Sequence, residues 1–213
     1  MVRVRVALLT LLAAAATAAS AQTPPSPPDA PATPSAPAAP MAPEPLPAPP
    51  APPAPPPPPT GDAAQIIAAL DKFCVPAIKG TAPNKLSGAL GLRKNRDDDW
   101  VLSLGGPKRI TITPPNPSDP NVCTLTVLYD IGGDAPIYEA LNNWAVAHTN
   151  PYVQAKKQES AQVGDETHVT STWSAVEDDG AEGLVFIQAR TADGKPLTGR
   201  ADQATVLFSI RPN

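Results

Sequence analysis

From Pro24 to Pro59 the chain is built almost wholly from two residue types: 20 of these 36 residues are proline and 9 are alanine. Proline fixes φ, removes a backbone donor and pushes its predecessor out of the helical region, so the run is expected to populate polyproline II. It offers too little apolar surface to order itself and reads as a disordered spacer that reaches at most ~110 Å at ~3.1 Å per residue. Whatever folds must therefore follow it. Gly61 to Asn213 holds 153 residues, all 13 glycines, every aromatic residue and both cysteines, which is the size of one domain. The expected organisation is a signal peptide over 1–21, a Pro/Ala linker over 22–60 and one globular domain over 61–213.

The formal charge is −4, and the domain carries it as 14 basic against 18 acidic residues. An acidic domain has no electrostatic case for nucleic acid. At the N-terminus Arg3 and Arg5 precede an apolar run, Val6 to Ala16, interrupted only by Thr10. Ala19-Ser20-Ala21 then supplies the small residues that a signal peptidase accepts, which places cleavage between Ala21 and Gln22. The alternative is an uncleaved anchor over Val4 to Ala21, a segment just long enough to span a bilayer. No cysteine precedes Cys74, so a lipid-modified cysteine at the cleavage site is excluded. The expected address is periplasmic or secreted, with no membrane attachment after cleavage. An even pair of cysteines in an exported chain is expected to form a disulfide, Cys74 to Cys123.

In the domain, Ile66, Ile67, Leu70, Phe73 and Cys74 fall at helical spacing behind Asp62 as N-cap, and Pro76 is expected to end this helix. A short helix or turn from Asn84 would place Leu86 and Leu90 on one side. Trp100 to Leu104 and Arg109 to Thr113 flank a Gly-Gly-Pro-Lys turn and read as a hairpin. Val122 to Tyr129 alternates, with Cys123, Leu125, Val127 and Tyr129 on one face. A third helix begins at Asp134 or Ala135, and its stripe of Ile137, Leu141 and Trp144 ends in His148. Four strands follow, over 152–162, 166–177, 184–190 and 203–211, with Asp178-Asp179-Gly180 and Asp193-Gly194 as turns. The expected fold is α+β, a mainly antiparallel sheet with helices packed on one face; the alternative is a β-sandwich with helical decoration.

No constellation commits the chain to a reaction. His148 and His168 are too few and too isolated for a metal site, and His148 suits a helix C-terminus. The patterns G-x-S-x-G and S-x-x-K are absent. Asp97-Asp98-Asp99 and Glu177-Asp178-Asp179 match no calcium-loop spacing and read as solvated loop charge. Lys108-Arg109 and Lys156-Lys157 read as blunting strand edges. Trp144 reads as core, whereas Trp100 and Trp173 are candidates for a binding groove. No cofactor is implied.

Phe73-Cys74-Val75-Pro76, Gly91-Leu92-Arg93, Val122-Cys123-Thr124-Leu125 and the helix around Trp144 together resemble small exported proteins of alphaproteobacteria with a signal peptide, a Pro/Ala-rich linker and a one-disulfide domain. The resemblance implies a periplasmic address and carries no catalytic residue. The expected role is a noncatalytic interaction module for an envelope protein or cell-wall polymer, presented on the spacer. The alternative is a small envelope hydrolase whose site is assembled only by the fold.

Overall fold

The computed structural model describes residues 56–148, 150–177 and 180–212. The cleavage site at Ala21 and Gln22, most of the Pro/Ala segment and the Asp178-Asp179 turn lie outside the described residues, which fall in one unit spanning Pro52–Asn213.

Among the described residues eight strands form a single sheet. They are β1 (Arg93–Lys94), β2 (Trp100–Gly105), β3 (Lys108–Thr113), β4 (Val122–Tyr129), β5 (Val153–Val163), β6 (Glu166–Glu177), β7 (Gly180–Thr191) and β8 (Asp202–Pro212). The order is β1-β2-β3-β4-β8-β7-β6-β5, with every neighbour antiparallel. The fold is thus α+β, and because all strands share one sheet no sandwich forms. Strand β4 continues into helix α3 (Asp134–Val146). The meander β5 to β8 then returns β8 to lie beside β4.

Period two separates the faces. One row across the sheet, Ile112, Leu125, Val206 and Phe186, points inward, and its neighbour, Thr111, Thr126, Thr205 and Ile187, points outward. The inward row joins a core with Ile66, Leu70 and Phe73 from one helix and Ile137, Leu141 and Trp144 from α3. No residue of the outward row joins that core, so the helices occupy one side only.

Helix α1 comprises Gly61–Ala69, a π-turn at Leu70–Cys74 and Val75–Ile78. This corrects the expectation that Pro76 ends it. A proline inside a regular helix clashes with the carbonyl four residues back. Here the preceding turn is widened, with the Val75 N–H bonding the Leu70 carbonyl five residues back, and the slack admits Pro76. The helix then stops at Gly80, whose φ of +90° is a left-handed terminus. Asp62 is likewise not the N-cap; Thr60 takes that position. The π-turn keeps both Phe73 and Cys74 fully buried. Cys74 forms a disulfide with Cys123, with Cα atoms 5.5 Å apart, and so ties α1 to β4. Helix α2 (Pro83–Leu86) and a 3₁₀ turn (Ser87–Leu90) bring Leu86 and Leu90 against the core.

The basic pairs divide. Lys156 and Lys157 lie on β5, which ends the sheet order and is twice bulged, an arrangement that discourages edge-to-edge pairing. Lys108 and Arg109 lie on β3, paired on both sides. That contradicts an edge role: Lys108 Nζ instead bridges Asp62 at 3.0 Å and Asp130 at 2.9 Å. Strand order, which a single sequence does not encode locally, decides between the two.

Candidate functional site

The one buried charge among the described residues, Asp202, lies at the end of the sheet near the N-terminus of α3. Tyr129 closes β4 and Asp202 opens β8, where they are Cα partners. Arg190 lies near the end of β7, with Gln188 two residues before it on the same inward face. The loop from Asp130 to Gly133 passes over them. A Cβ on Gly133 would lie 2.9 Å from the Asp130 carbonyl oxygen, and Gly132 has a φ of +77°, so this tight reversal requires both glycines.

Asp202 is 1 % exposed. Its Oδ2 accepts from the Gly132 N–H at 2.8 Å and from Arg190 Nη2 at 2.8 Å. The same Nη2 lies 3.5 Å from Asp134 Oδ1. Among the described residues, three buried polar atoms in this neighbourhood have no hydrogen-bond partner: Tyr129 OH, Gln188 Nε2 and Asp202 Oδ1. Most buried polar atoms are paired, so three such groups on adjoining strand ends mark a place built for something other than packing. Burial, reinforced by the charges of Asp202 and Asp134, pushes the Tyr129 hydroxyl pKa up.

Beside the cluster opens a cavity of about 400 Å³ lined by Asp134, Gln158, Thr167, Val169, Gln188, Arg190, Ala192 and Gly194. That volume suits a small-molecule group. Gln158 reaches it from the second bulge of β5 with φ at +50°, a left-handed conformation rare outside glycine. Its N–H donates to the buried Ser171 hydroxyl at 3.0 Å, which holds the bulge in place. Bulges that re-aim a side chain and locally strained backbone both favour functional sites.

The residues singled out by sequence lie elsewhere. His148 follows α3, its Nδ1 2.9 Å from the Trp144 carbonyl oxygen and its ring 4.1 Å from that of Trp144, the helix-end role read for it. His168 pairs with Glu166 at 2.9 Å on the outward face of β6. Asp98 pairs with Lys94, and Asp99 accepts from the Thr113 hydroxyl, so these carboxylates serve a turn. Of the other acidic cluster only the Glu177 backbone is described. Trp173 is buried and donates to Asn142, and Trp100 is half-buried against Phe73; neither forms an exposed binding strip. Among the described residues no group of three His, Cys, Asp or Glu is placed to hold a metal, and no helix is long and apolar enough to cross a membrane.

Period two could have found the site. Asp202 shares its strand face with Ala204, Val206 and Phe208, and Arg190 shares its face with Leu184 and Phe186, so a charge falls on the core side of each strand. No family model matches the chain, and neither a curated protein nor a solved structure is significantly similar to it.

An unpartnered hydroxyl makes a clean test. Tyr129→Phe is expected to leave stability at neutral pH unchanged or raise it by up to ~1 kcal/mol, since no bond is lost. Because the folded-state pKa is raised, the unfolded chain ionises first, and this stability is lost as pH rises above the ordinary value of 10.0. The phenylalanine variant escapes that loss, about 1 kcal/mol one pH unit higher. Urea titrations at pH 7 and pH 11 read both effects, and a clear loss at pH 7 would mean that the hydroxyl already serves a bond.

Proposed function

We propose that the chain is an exported, noncatalytic envelope module that uses the cavity beside Arg190 to hold an uncharged stretch of the cell-wall polymer, with the Pro/Ala segment as its spacer. The observation that carries this reading is the unpartnered Gln188 amide, 8 % exposed, at the wall of that cavity. Around it the Gln158 amide, the Thr167 hydroxyl and the Arg190 guanidinium can donate, and both glutamines can also accept. Arg190 with Asp134 and Asp202 sums to one negative charge, which disfavours phosphate and other polyanions. Val169, Ala192 and Gly194 supply an apolar wall. Amide and hydroxyl groups in close alternation suit such a site, and the peptide-bearing glycan of a bacterial wall provides both.

These side chains hold and orient, which supports binding over hydrolysis; neither histidine lines the cavity. The disulfide is consistent with an oxidising compartment. Calorimetric titration of the mature chain with a soluble disaccharide-tetrapeptide fragment of the wall, and with the disaccharide alone, tests the reading. Binding of the fragment is expected, weakened about tenfold or more by Gln188→Leu. Absence of binding by either probe at millimolar concentration, or binding indifferent to Gln188→Leu, would overturn it.

A further inference from the structure

We propose that Gln158 and Gln188 act as a pair that reads one trans secondary amide of the ligand, an acetamido group or a peptide bond; this rests on the cavity being the binding site for the wall polymer. Gln188 Nε2 is a buried donor with no acceptor among the described residues, and Gln188 on β7 is the cross-strand partner of Val169 on β6. Gln158 stands on β5, on the other side of β6. Both glutamines and Val169 line the same cavity. Two strand spacings of ~4.8 Å put the backbones of the glutamines about 10 Å apart, with Val169 between them.

That separation selects the ligand group. A single hydroxyl bonded to both carboxamides bridges at most about 6 Å, because two bonds of ~2.9 Å meet on one oxygen. A carboxylate accepts but has no hydrogen to give, and it would meet Asp134 in the same cavity. A trans secondary amide presents its carbonyl oxygen and its N–H at opposite ends, so with one bond of ~2.9 Å at each end it spans about 8 Å. Carboxamide heads leaning inward from backbones about 10 Å apart meet that span. Gln188 Nε2 then donates to the amide oxygen, and Gln158 Oε1 accepts from the amide N–H. The alkyl group beside the amide rests on Val169.

The backbone at Gln158 is fitted to this role. Its φ of +50° costs a glutamine and suits a glycine, and it falls where the register of β5 on β6 shifts between Lys156 and Glu159. The buried Ser171 hydroxyl accepts from the Gln158 N–H at 3.0 Å and secures that conformation. Glycine here would relieve the backbone but remove the amide, so a glutamine held in this conformation serves the cavity rather than the fold.

Calorimetric titration of residues 22–213 tests the inference with the disaccharide-tetrapeptide wall fragment, di-N-acetylchitobiose, N-acetyl-alanyl-alanine amide, and cellobiose, in which hydroxyls replace both acetamido groups. At least one of the two small amide probes is expected to bind tenfold or more tightly than cellobiose. The disaccharide doing so places the sugar acetamido group between the glutamines, and the blocked dipeptide doing so places the peptide there. Gln158→Gly is expected to weaken binding of the wall fragment about tenfold while melting no lower than the wild type, a combination that a merely structural role does not give. Cellobiose matching both amide probes, or wall-fragment binding that falls with Gln188→Leu but not with Gln158→Gly, would overturn the amide pair and leave the cavity as the binding site. No binding of the wall fragment would overturn both.

Discussion

Replacing Cys123 with serine is expected to lower the melting temperature by roughly 10 °C. The disulfide spans 49 positions, and releasing a loop of that length in the unfolded chain costs up to about 4 kcal/mol on the chain-entropy model. Much of a domain's net stability, about 5 to 15 kcal/mol, would go with it. The position adds to the loss, because both half-cystines are fully buried. A serine hydroxyl enclosed there also gives up its hydration, and α1 loses its disulfide tie to β4. Thermal melts of the wild type with and without reductant, beside Cys123→Ser without it, check this; a serine variant that melts with the oxidised wild type would contradict it.

The second large effect belongs to Arg190. Arg190→Met removes the cation from Asp202, which is 1 % exposed and is left, among the described residues, with the Gly132 N–H. Stranding a buried carboxylate costs about 3 to 5 kcal/mol when both partners are enclosed. Arg190 is 36 % exposed, so solvent screens the pair and about 2 kcal/mol is expected. Asp202→Asn in the Arg190→Met background should recover part of that loss, because a neutral amide needs no counter-charge. Denaturant titration of the two single variants and the double variant measures the coupling. Losses that simply add would mean that the two residues do not act as a pair.

Most of the fold is legible in the sequence because it rests on local periodicity. Alternation over Val122 to Tyr129 coincides with β4, and the stripe Ile137, Leu141 and Trp144 marks the buried face of α3. The pairing of Cys74 with Cys123 follows from there being two cysteines in all. What escapes is what depends on distant partners. Pro76 inside α1 relies on a π-turn that no residue pattern announces, and the role of Lys108 relies on which strands flank β3. The candidate site escapes for the same reason. Its residues come from β4, β5, β6, β7, β8 and the head of α3, and none of them belongs to a contiguous motif. Sequence attention goes first to histidines and acidic runs, whereas this site is made of an arginine, an aspartate, a tyrosine and amides placed by strand register.

The most direct measurement follows the side chains themselves. In ¹H–¹⁵N spectra of residues 22–213, the side-chain amides of Gln158 and Gln188 and the Nε–H of Arg190 report on the cavity without altering it. Addition of the disaccharide-tetrapeptide wall fragment is expected to shift these three signals together and saturably, leaving the Trp173 indole N–H, which is engaged with Asn142 in the core, in place. Saturable binding that moves only backbone signals of the outward sheet face, with the signals of Gln158, Gln188 and Arg190 unmoved, would contradict the assignment of the cavity as the binding site.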